Sequence, residues 1–152
     1  MRESLSFDDV LVVPQYSDIQ SRSEIDIGNN LGDLNLKLPI ISSPMDSITE
    51  LAMAKAMSVN GGLGIVHRYN TIEQQAKLVK KCSDRAHNVG AAIGVTGDFV
   101  DRACALWDAG TKVICIDVAH GHHALMRHAL EVLRSIFGSK IHIMAGNVAT
   151  IE

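Results

Sequence analysis

Residues 89–119, VGAAIGVTGDFVDRACALWDAGTKVICIDVA, decide the fold because two short apolar runs flank a segment with helical periodicity. The runs 89–95 and 113–119 are almost continuously apolar, as in strands of a parallel sheet that is covered on both faces. Between them, apolar side chains recur at helical spacing at Phe99, Ala103 and Leu106. The order strand, helix, strand predicts a βαβ unit with parallel strands.

The same unit recurs in both directions along the chain. Five strands are predicted, at residues 39–43, 63–67, 89–95, 113–119 and 142–145. A helix is predicted after each of the first four strands. Thr71 with Gln74 three residues later is typical of a helix start. Glycines typical of helix ends follow the periodic segments at Gly61, Gly110 and Gly138.

This periodicity fits two architectures. A doubly wound sheet of the flavodoxin type needs about five strands and would be complete at this length, whereas a TIM barrel needs eight βα units and typically about 250 residues. Periodicity does not choose between them, although residues 145–152 resemble a strand, a loop and the first turn of a further helix. Residues 1–38 lack the repeat. We expect them to form an N-terminal extension with one or two short strands, packed on the repeat domain of residues 39–152.

Composition excludes several classes of protein. With 47% hydrophobic and 20% charged residues, the 152-residue chain has the composition of a globular protein with a buried core. The formal net charge is -3 and basic residues are scattered, so we expect no nucleic-acid partner. No apolar run approaches the roughly 20 residues that span a bilayer, and the first residues lack a secretory signal. We therefore expect a cytoplasmic protein without a membrane partner, and three cysteines without CxxC spacing fit free thiols there.

Polar residues follow the predicted strands, at the edge where ligands bind in both architectures. A carboxylate at Asp117 can bind ribose hydroxyls or orient a reacting group, and a helix or turn cap is the alternative. The Asn147 amide can donate to and accept from a heterocycle, and a loop asparagine beside Gly146 is the alternative. From the residues alone, the sequence predicts a small-molecule site without an assignable reaction.

Neither a metal site nor a catalytic cysteine is predicted. Residues 120–123 offer three imidazoles, but adjacent residues point in different directions and no second ligand cluster accompanies them. We favour solvated or ligand-contacting histidines. Cys104 and Cys115 fall inside a predicted helix and a predicted strand, where we expect small buried hydrophobic residues.

Six segments resemble, in order, the IMP dehydrogenase and GMP reductase family. They are residues 5–14 (LSFDDVLVVP), 39–50 (PIISSPMDSITE), 61–67 (GGLGIVH), 89–95 (VGAAIGV), 117–122 (DVAHGH) and 145–150 (AGNVAT). The resemblance covers essentially the whole chain. It implies an α/β fold of the TIM-barrel type, of which these residues form the N-terminal part with about five strands and a short N-terminal extension.

The resemblance implies an oxidoreductase of purine nucleotides. In that family a cysteine attacks C2 of the purine, a covalent thioimidate forms, and hydride passes between that carbon and a nicotinamide. Matched position by position, the nucleotide-binding residues are Ser43, Met45 and Asn147. The cofactor-binding residues are Asp117, His67 and Arg68. Asn147 matches a residue near the purine. Asp117 matches the carboxylate at the nicotinamide ribose. His67 and Arg68 lie in a loop that in relatives can approach the dinucleotide.

Both activities of the family are open at this point. Residues 49–50, 90–92 and 120–122 resemble IMP dehydrogenase, which converts IMP, NAD and water to XMP and NADH. Residues 117–119 and 144–148 resemble GMP reductase, which converts GMP and NADPH to IMP and ammonia, and so does the lack of a CBS module between Cys82 and Val89. We favour IMP dehydrogenase with NAD, NADP being the alternative cofactor, and expect a homotetramer that binds IMP or GMP.

The residues that resemble the family do not include its catalytic residues or its phosphate-binding loop. In relatives the catalytic cysteine, the phosphate-binding loop, the monovalent-cation site and the last three strands follow the position of Glu152. We therefore expect no catalytic residue in this chain and no IMP oxidation by the chain alone. A nonenzymatic half-barrel module, whose open sheet edge pairs with a complementary chain, is a hypothesis from another class.

Overall fold

The computed structural model describes residues 5–83 and 88–150, which form seven strands and four α-helices. The strands are β1 (Asn29–Leu31), β2 (Leu34–Leu36), β3 (Ile41–Ser42), β4 (Leu63–Val66), β5 (Val89–Ile93), β6 (Val113–Asp117) and β7 (His142–Gly146). The helices are α1 (Leu51–Val59), α2 (Ile72–Ser83), α3 (Phe99–Asp108) and α4 (Ala124–Phe137). Two short 3-10 helices, Phe7–Asp9 and Arg22–Glu24, precede them. Within these two ranges, no helix is long and apolar enough to cross a membrane.

β3 to β7 form one parallel sheet, in which each strand pairs with the next along the chain. In a doubly wound sheet the direction of strand addition reverses at a switch point, whereas a barrel adds its strands in chain order. The observed order contains no reversal among the described strands. The structure therefore confirms the prediction of the N-terminal part of a TIM barrel with five strands.

All five predicted strands are present, and four of them end earlier than predicted. β3 contains only two residues, Ile41–Ser42. Among the described strands it pairs only with β4, at the edge of the sheet, and Pro39 just before it has no N–H to donate. β5 ends at Ile93 because its pairing with β6 stops at Ile116. The residues beyond these strand ends form the loops of the ligand edge.

The predicted helix ends are confirmed at the level of single contacts. The Thr71 N–H donates to Gln74 Oε1 at 3.1 Å, and the Gln74 N–H donates to Thr71 Oγ1 at 3.2 Å. This reciprocal pair is the capping box that starts α2. Gly110 follows α3 with a φ of 94°, a left-handed conformation that is strained for residues with a Cβ atom.

The sheet has an apolar layer on each face. The larger layer packs between the sheet and the helices and includes Val66 and Ile114. The smaller layer, on the inner face of the half barrel, is formed by Leu63, Ile65, Ala92, Val113 and Cys115. Successive residues of one strand contribute to opposite layers, as the two-residue period of a strand requires.

An antiparallel hairpin of β1 and β2 covers the inner layer at the amino ends of the barrel strands. Leu34 and Leu36 are buried and pack against that layer. The turn of the hairpin at Gly32 lies against the ring of His142, the first residue of β7. The hairpin therefore closes one end of the half barrel and leaves the other end to the loops that follow the strands.

The expected packing of the N-terminal extension on the repeat domain is confirmed for the hairpin and wrong for residues 5–27. Residues 5–27 are exposed throughout, including the apolar side chains of Leu11 and Val12. The division of the chain at residue 38 stays a prediction. The absence of a CBS module was inferred from a connection that includes residues 84–87, which lie outside the described residues.

Candidate functional site

The structure places the predicted site residues along one edge of the sheet. Ser43 and Met45 follow β3, His67 and Arg68 follow β4, Asp117 ends β6, and Asn147 follows β7. Because the strands are parallel, all of these positions lie at their carboxyl ends, where ligands bind in barrels. In the hydrogen bonds of residues 5–83 and 88–150, none of these six side chains pairs with another of the six. The six residues thus share one edge of the sheet without bonding to one another.

The loop after β3 is compact and presents Ser43 and Met45 outward. The Thr49 hydroxyl donates to the Ser43 carbonyl oxygen at 2.6 Å and lies 2.9 Å from Ser42 Oγ. Thr49 is completely buried, whereas Ser43 and Met45 are exposed. The loop is thus held from inside by Thr49, which sequence reasoning noticed only as part of a family motif.

His67 ties two loops of the edge together. Its ring is buried, Nε2 lies 3.2 Å from Glu50 Oε1, and Nδ1 accepts the Tyr69 N–H at 3.2 Å. Because Nδ1 accepts, the neutral ring carries its proton on Nε2 and donates it to the carboxylate. Both ring nitrogens are therefore engaged by the protein itself. The geometry gives His67 an orienting role between the loops after β3 and β4, and its contact with a cofactor stays a prediction.

Arg68 differs from His67 because the residues that the structure describes leave part of its guanidinium without a hydrogen bond. Its guanidinium lies over the Tyr69 ring, 5.6 Å from the ring centre, and close to Gly94 beyond the end of β5. Arg68 Nε is buried and has no hydrogen-bond partner within the described part of the chain. A guanidinium in this state offers donors to a carboxylate or a phosphate at the edge.

Hydrogen bonds cross between the loops after β6 and β7. The Val118 N–H donates to the Gly146 carbonyl at 3.0 Å, and the Asn147 N–H donates to the Val118 carbonyl at 2.7 Å. Asn147 Nδ2 donates to the same carbonyl at 3.2 Å. The amide of Asn147 is thus partly used within the protein, although the residue itself is exposed. These bonds hold Asn147 beside Asp117, the half-buried last residue of β6.

Gly121 lets the same two loops come into contact. Its N–H donates to the Asn147 carbonyl oxygen at 2.7 Å, and a Cβ atom at this position would lie 2.7 Å from that oxygen. Any larger residue would therefore push the loops apart. Sequence reasoning noted Gly121 within a histidine-rich run and a family motif, and neither indicated this requirement.

A cavity of about 190 Å³ lies beside these loops. It is lined by Ala119, His120, His122, Asn147, Val148, Ala149 and Thr150. The His120 and His122 rings are 6.5 Å apart, while His123 Nδ1 accepts the Leu125 N–H and caps α4. Among the residues that the structure describes, no three histidine, cysteine or acidic side chains are grouped so that they could hold a metal ion.

The three cysteines have the surroundings of structural residues. Cys115 is buried, as predicted, whereas Cys104 is only partly buried and the completely buried cysteine is Cys82. Burial raises the pKa of the Cys115 thiol to about 11, and the negative charge of Asp117 contributes to the increase. Burial also raises the pKa of Cys82. A raised pKa disfavours the thiolate, so neither of these two side chains is prepared to act as a nucleophile.

The structure adds three buried polar residues that sequence reasoning did not single out, Gln75, Arg102 and Thr111. Gln75 is completely buried in α2, and its side chain bonds to Arg102 of α3. The signal was present, because Gln75 precedes the buried Val79 by four residues and so lies on the same face of the helix.

Comparison with known proteins identifies the family. The family model described as IMP dehydrogenase / GMP reductase domain matches residues 4–152. The crystal structure of an inosine 5'-monophosphate dehydrogenase from Legionella pneumophila superposes with a TM-score of 0.87 at 43% identity, over 97% of this chain and 45% of that one. An inosine-5'-monophosphate dehydrogenase of Cryptosporidium parvum is 31% identical over 194 residues, covering 99% of this chain and 47% of its own. A GMP reductase of Streptococcus agalactiae is 29% identical over 150 residues, covering 96% and 44%.

These relatives are longer than the chain, which spans about half the length of the curated relatives it matches. The matches nevertheless extend over nearly every residue, and the strand order of the barrel agrees with them. The chain belongs to the IMP dehydrogenase / GMP reductase family.

Proposed function

We propose that these residues form the N-terminal part of an IMP dehydrogenase, an oxidoreductase in which IMP, NAD and water give XMP, NADH and a proton. The observation that carries the proposal is the row of ligand-type side chains at the carboxyl edge of a sheet whose fold superposes on an IMP dehydrogenase at 43% identity. None of the three cysteines supplies the nucleophile, because two are buried with raised pKa and Cys104 lies within α3. This chain therefore contributes binding groups to the reaction.

On the nucleotide side, the proposed contacts are Ser43, Met45 and Asn147. Met45 offers a polarisable apolar surface suited to the face of a purine ring. Ser43 offers a hydroxyl that can donate and accept, and Asn147 Oδ1 is an acceptor for an N–H at the edge of the base. The Thr49 contacts and the Val118 contacts hold these groups in place before a ligand arrives.

On the cofactor side, the proposed contacts are Asp117 and Arg68, with His67 orienting the loop. The bound nicotinamide supplies the acceptor for the hydride that leaves the purine. Asp117 can accept hydrogen bonds from both hydroxyls of a ribose. The unpartnered Nε of Arg68 suits the negatively charged part of a dinucleotide, which supports the fit of such a cofactor to this edge.

GMP reductase is the second candidate, and the comparisons contain one observation in its favour. The alignment to the GMP reductase needs 150 positions for 96% of the chain, so it holds few gaps. The alignment to the Cryptosporidium enzyme needs 194 positions for 99% of the same 152 residues, so that relative carries several tens of additional residues. In this candidate NADPH would donate hydride to GMP, and IMP and ammonia would be released.

The test is an assay of the protein that contains this chain at the length of its relatives. We expect NADH to form from IMP and NAD. An Asp117→Asn variant should raise KM for NAD more than KM for IMP, because it keeps the shape and loses one strong acceptor. Oxidation of NADPH with GMP and no reaction with IMP would replace the first candidate by the second. The absence of both reactions would contradict the proposal.

We also propose a cellular location and an oligomeric state. The three free cysteines fit a reducing compartment, and we propose the cytoplasm. We also propose a homotetramer for the full-length enzyme, which light scattering after size-exclusion chromatography would measure directly.

A further inference from the structure

A buried hydrogen-bond network joins the carboxyl ends of β4 and β5. Gln75 Nε2 donates to the Ala92 carbonyl at 2.8 Å and to the Val66 carbonyl at 3.3 Å. Its Oε1 accepts from Arg102 Nη1 at 2.8 Å. Gln75 is completely buried and Arg102 is 8% exposed. One side chain of α2 thus bridges two adjacent strands and meets a cation from α3.

Arg102 extends the network to the loop that carries Arg68. Its Nη1 also donates to the Asn70 carbonyl at 3.2 Å, and its Nη2 donates to Asp98 Oδ2 at 2.7 Å. At the other end of the loop, His67 is held by Glu50. Residues 67–70 are therefore fixed at both ends, and Arg68 lies between the two attachments.

A buried ionic network of this kind is not one that stability generally favours. Taking a guanidinium out of water is costly, and apolar replacements of buried ionic groups are often neutral or stabilising. The three backbone acceptors of the network, on Val66, Asn70 and Ala92, all lie at or just beyond the carboxyl ends of β4 and β5. The network therefore specifies geometry at the ligand edge.

We propose that Gln75 and Arg102 are positioning residues, which set the spacing of the ends of β4 and β5 and hold residues 67–70 so that Arg68 faces an anionic group of the cofactor. The assignment of that anion rests on the proposed function. The holding of the loop does not, because it is a property of the chain without any ligand.

The experiment compares stability and local amide exchange in the 152-residue chain. A Gln75→Met/Arg102→Met variant removes both side chains of the network together, so neither a buried amide nor a buried guanidinium is left unpaired. The carbonyls of Val66, Asn70 and Ala92 lose only these additional donors, so we expect a thermal midpoint close to that of the unchanged chain. Exchange of the Tyr69 amide, which donates to His67 Nδ1, should become about tenfold faster, as expected for the loss of a restraint of about 1.4 kcal/mol. Arg127→Met is the matched control, because Arg127 forms an exposed pair with Glu131.

The exchange data distinguish a positioning role of the network from a purely structural role. Faster Tyr69 exchange at an unchanged midpoint supports positioning, and so does Arg102→Lys if it speeds exchange while the charge is retained. Unchanged Tyr69 exchange overturns the proposal, and so does faster exchange that merely follows a lower global stability. Binding of NAD by the protein that contains this chain at the length of its relatives, followed by calorimetry, addresses the anion separately. Failure to bind would count against the proposed function, while the exchange data would still decide the positioning role.

Discussion

The close packing of α1 on β4 leads to a prediction for Gly64→Ala. Gly64 is buried in β4 and pairs with Ser42 of β3. A Cβ atom at Gly64 would lie 2.7 Å from the Cα and 3.1 Å from the Cβ of Ala54 in α1. The first of these atoms belongs to the backbone, so a rotamer change cannot relieve the contact and the whole helix has to move.

The magnitude follows from two opposing terms. Overpacking of a close-packed core costs about 1–3 kcal/mol, whereas replacing glycine by alanine stabilises by about 0.4–1 kcal/mol through the unfolded chain. We therefore expect Gly64→Ala to lower the free energy of unfolding by about 1–2 kcal/mol. The shift should also disturb the loops of the ligand edge, because α1 begins directly after Glu50, the partner of His67.

Urea denaturation followed by circular dichroism measures this effect. Gly94→Ala is the matched control, because the nearest atom to its new Cβ is Arg68 Nη1 at 3.7 Å, an ordinary van der Waals contact. The control should be as stable as the unchanged chain or slightly more stable. If Gly64→Ala and Gly94→Ala have the same midpoint and slope, the contact between α1 and β4 is not as close as described.

The hairpin, the buried thiol and the isolated chain give three further expectations. Leu36→Ala should cost about 2–5 kcal/mol in urea denaturation, while Leu11→Ala, at a 94% exposed position, should cost less than about 0.5 kcal/mol; equal losses would contradict the hairpin packing. Folding raises the pKa of Cys115 from 9.0 to about 11, so the folded chain keeps a proton that the unfolded chain has lost in this interval. The free energy of unfolding should therefore fall between those pH values more steeply than in Cys115→Ala, and identical slopes would refute the shift. The 152-residue chain alone should form no NADH from IMP and NAD, and a rate above the blank would show that it holds its own nucleophile.

Much of the barrel could be predicted from local patterns. Apolar runs located the strands, since a strand covered on both faces has few polar residues. The pair Thr71 and Gln74 predicted the start of α2 correctly, because a capping box needs only neighbours in sequence. The order of the strands is a property of the whole chain. Periodicity left it open, residues 145–152 gave only a hint of a further unit, and the family resemblance favoured the barrel.

The contacts of the site residues could not be predicted from local sequence patterns. The strand ends pointed to Asp117 and Asn147, but nothing in the sequence predicted that the Asn147 amide is partly used by the Val118 carbonyl. His67 was expected beside a cofactor, and its ring is enclosed by Glu50 and a backbone N–H. These contacts join residues far apart in the chain, so their chemistry depends on which loops the folded sheet brings together.

The most direct test of the account is a crystal structure of the full-length protein with IMP bound. We predict the purine at the carboxyl ends of β3 and β7, with its ring against Met45 and its edge within hydrogen-bond distance of Asn147. The Ser43 hydroxyl should lie beside the same nucleotide. IMP bound away from this edge, with these three side chains facing only solvent, would contradict the central claim.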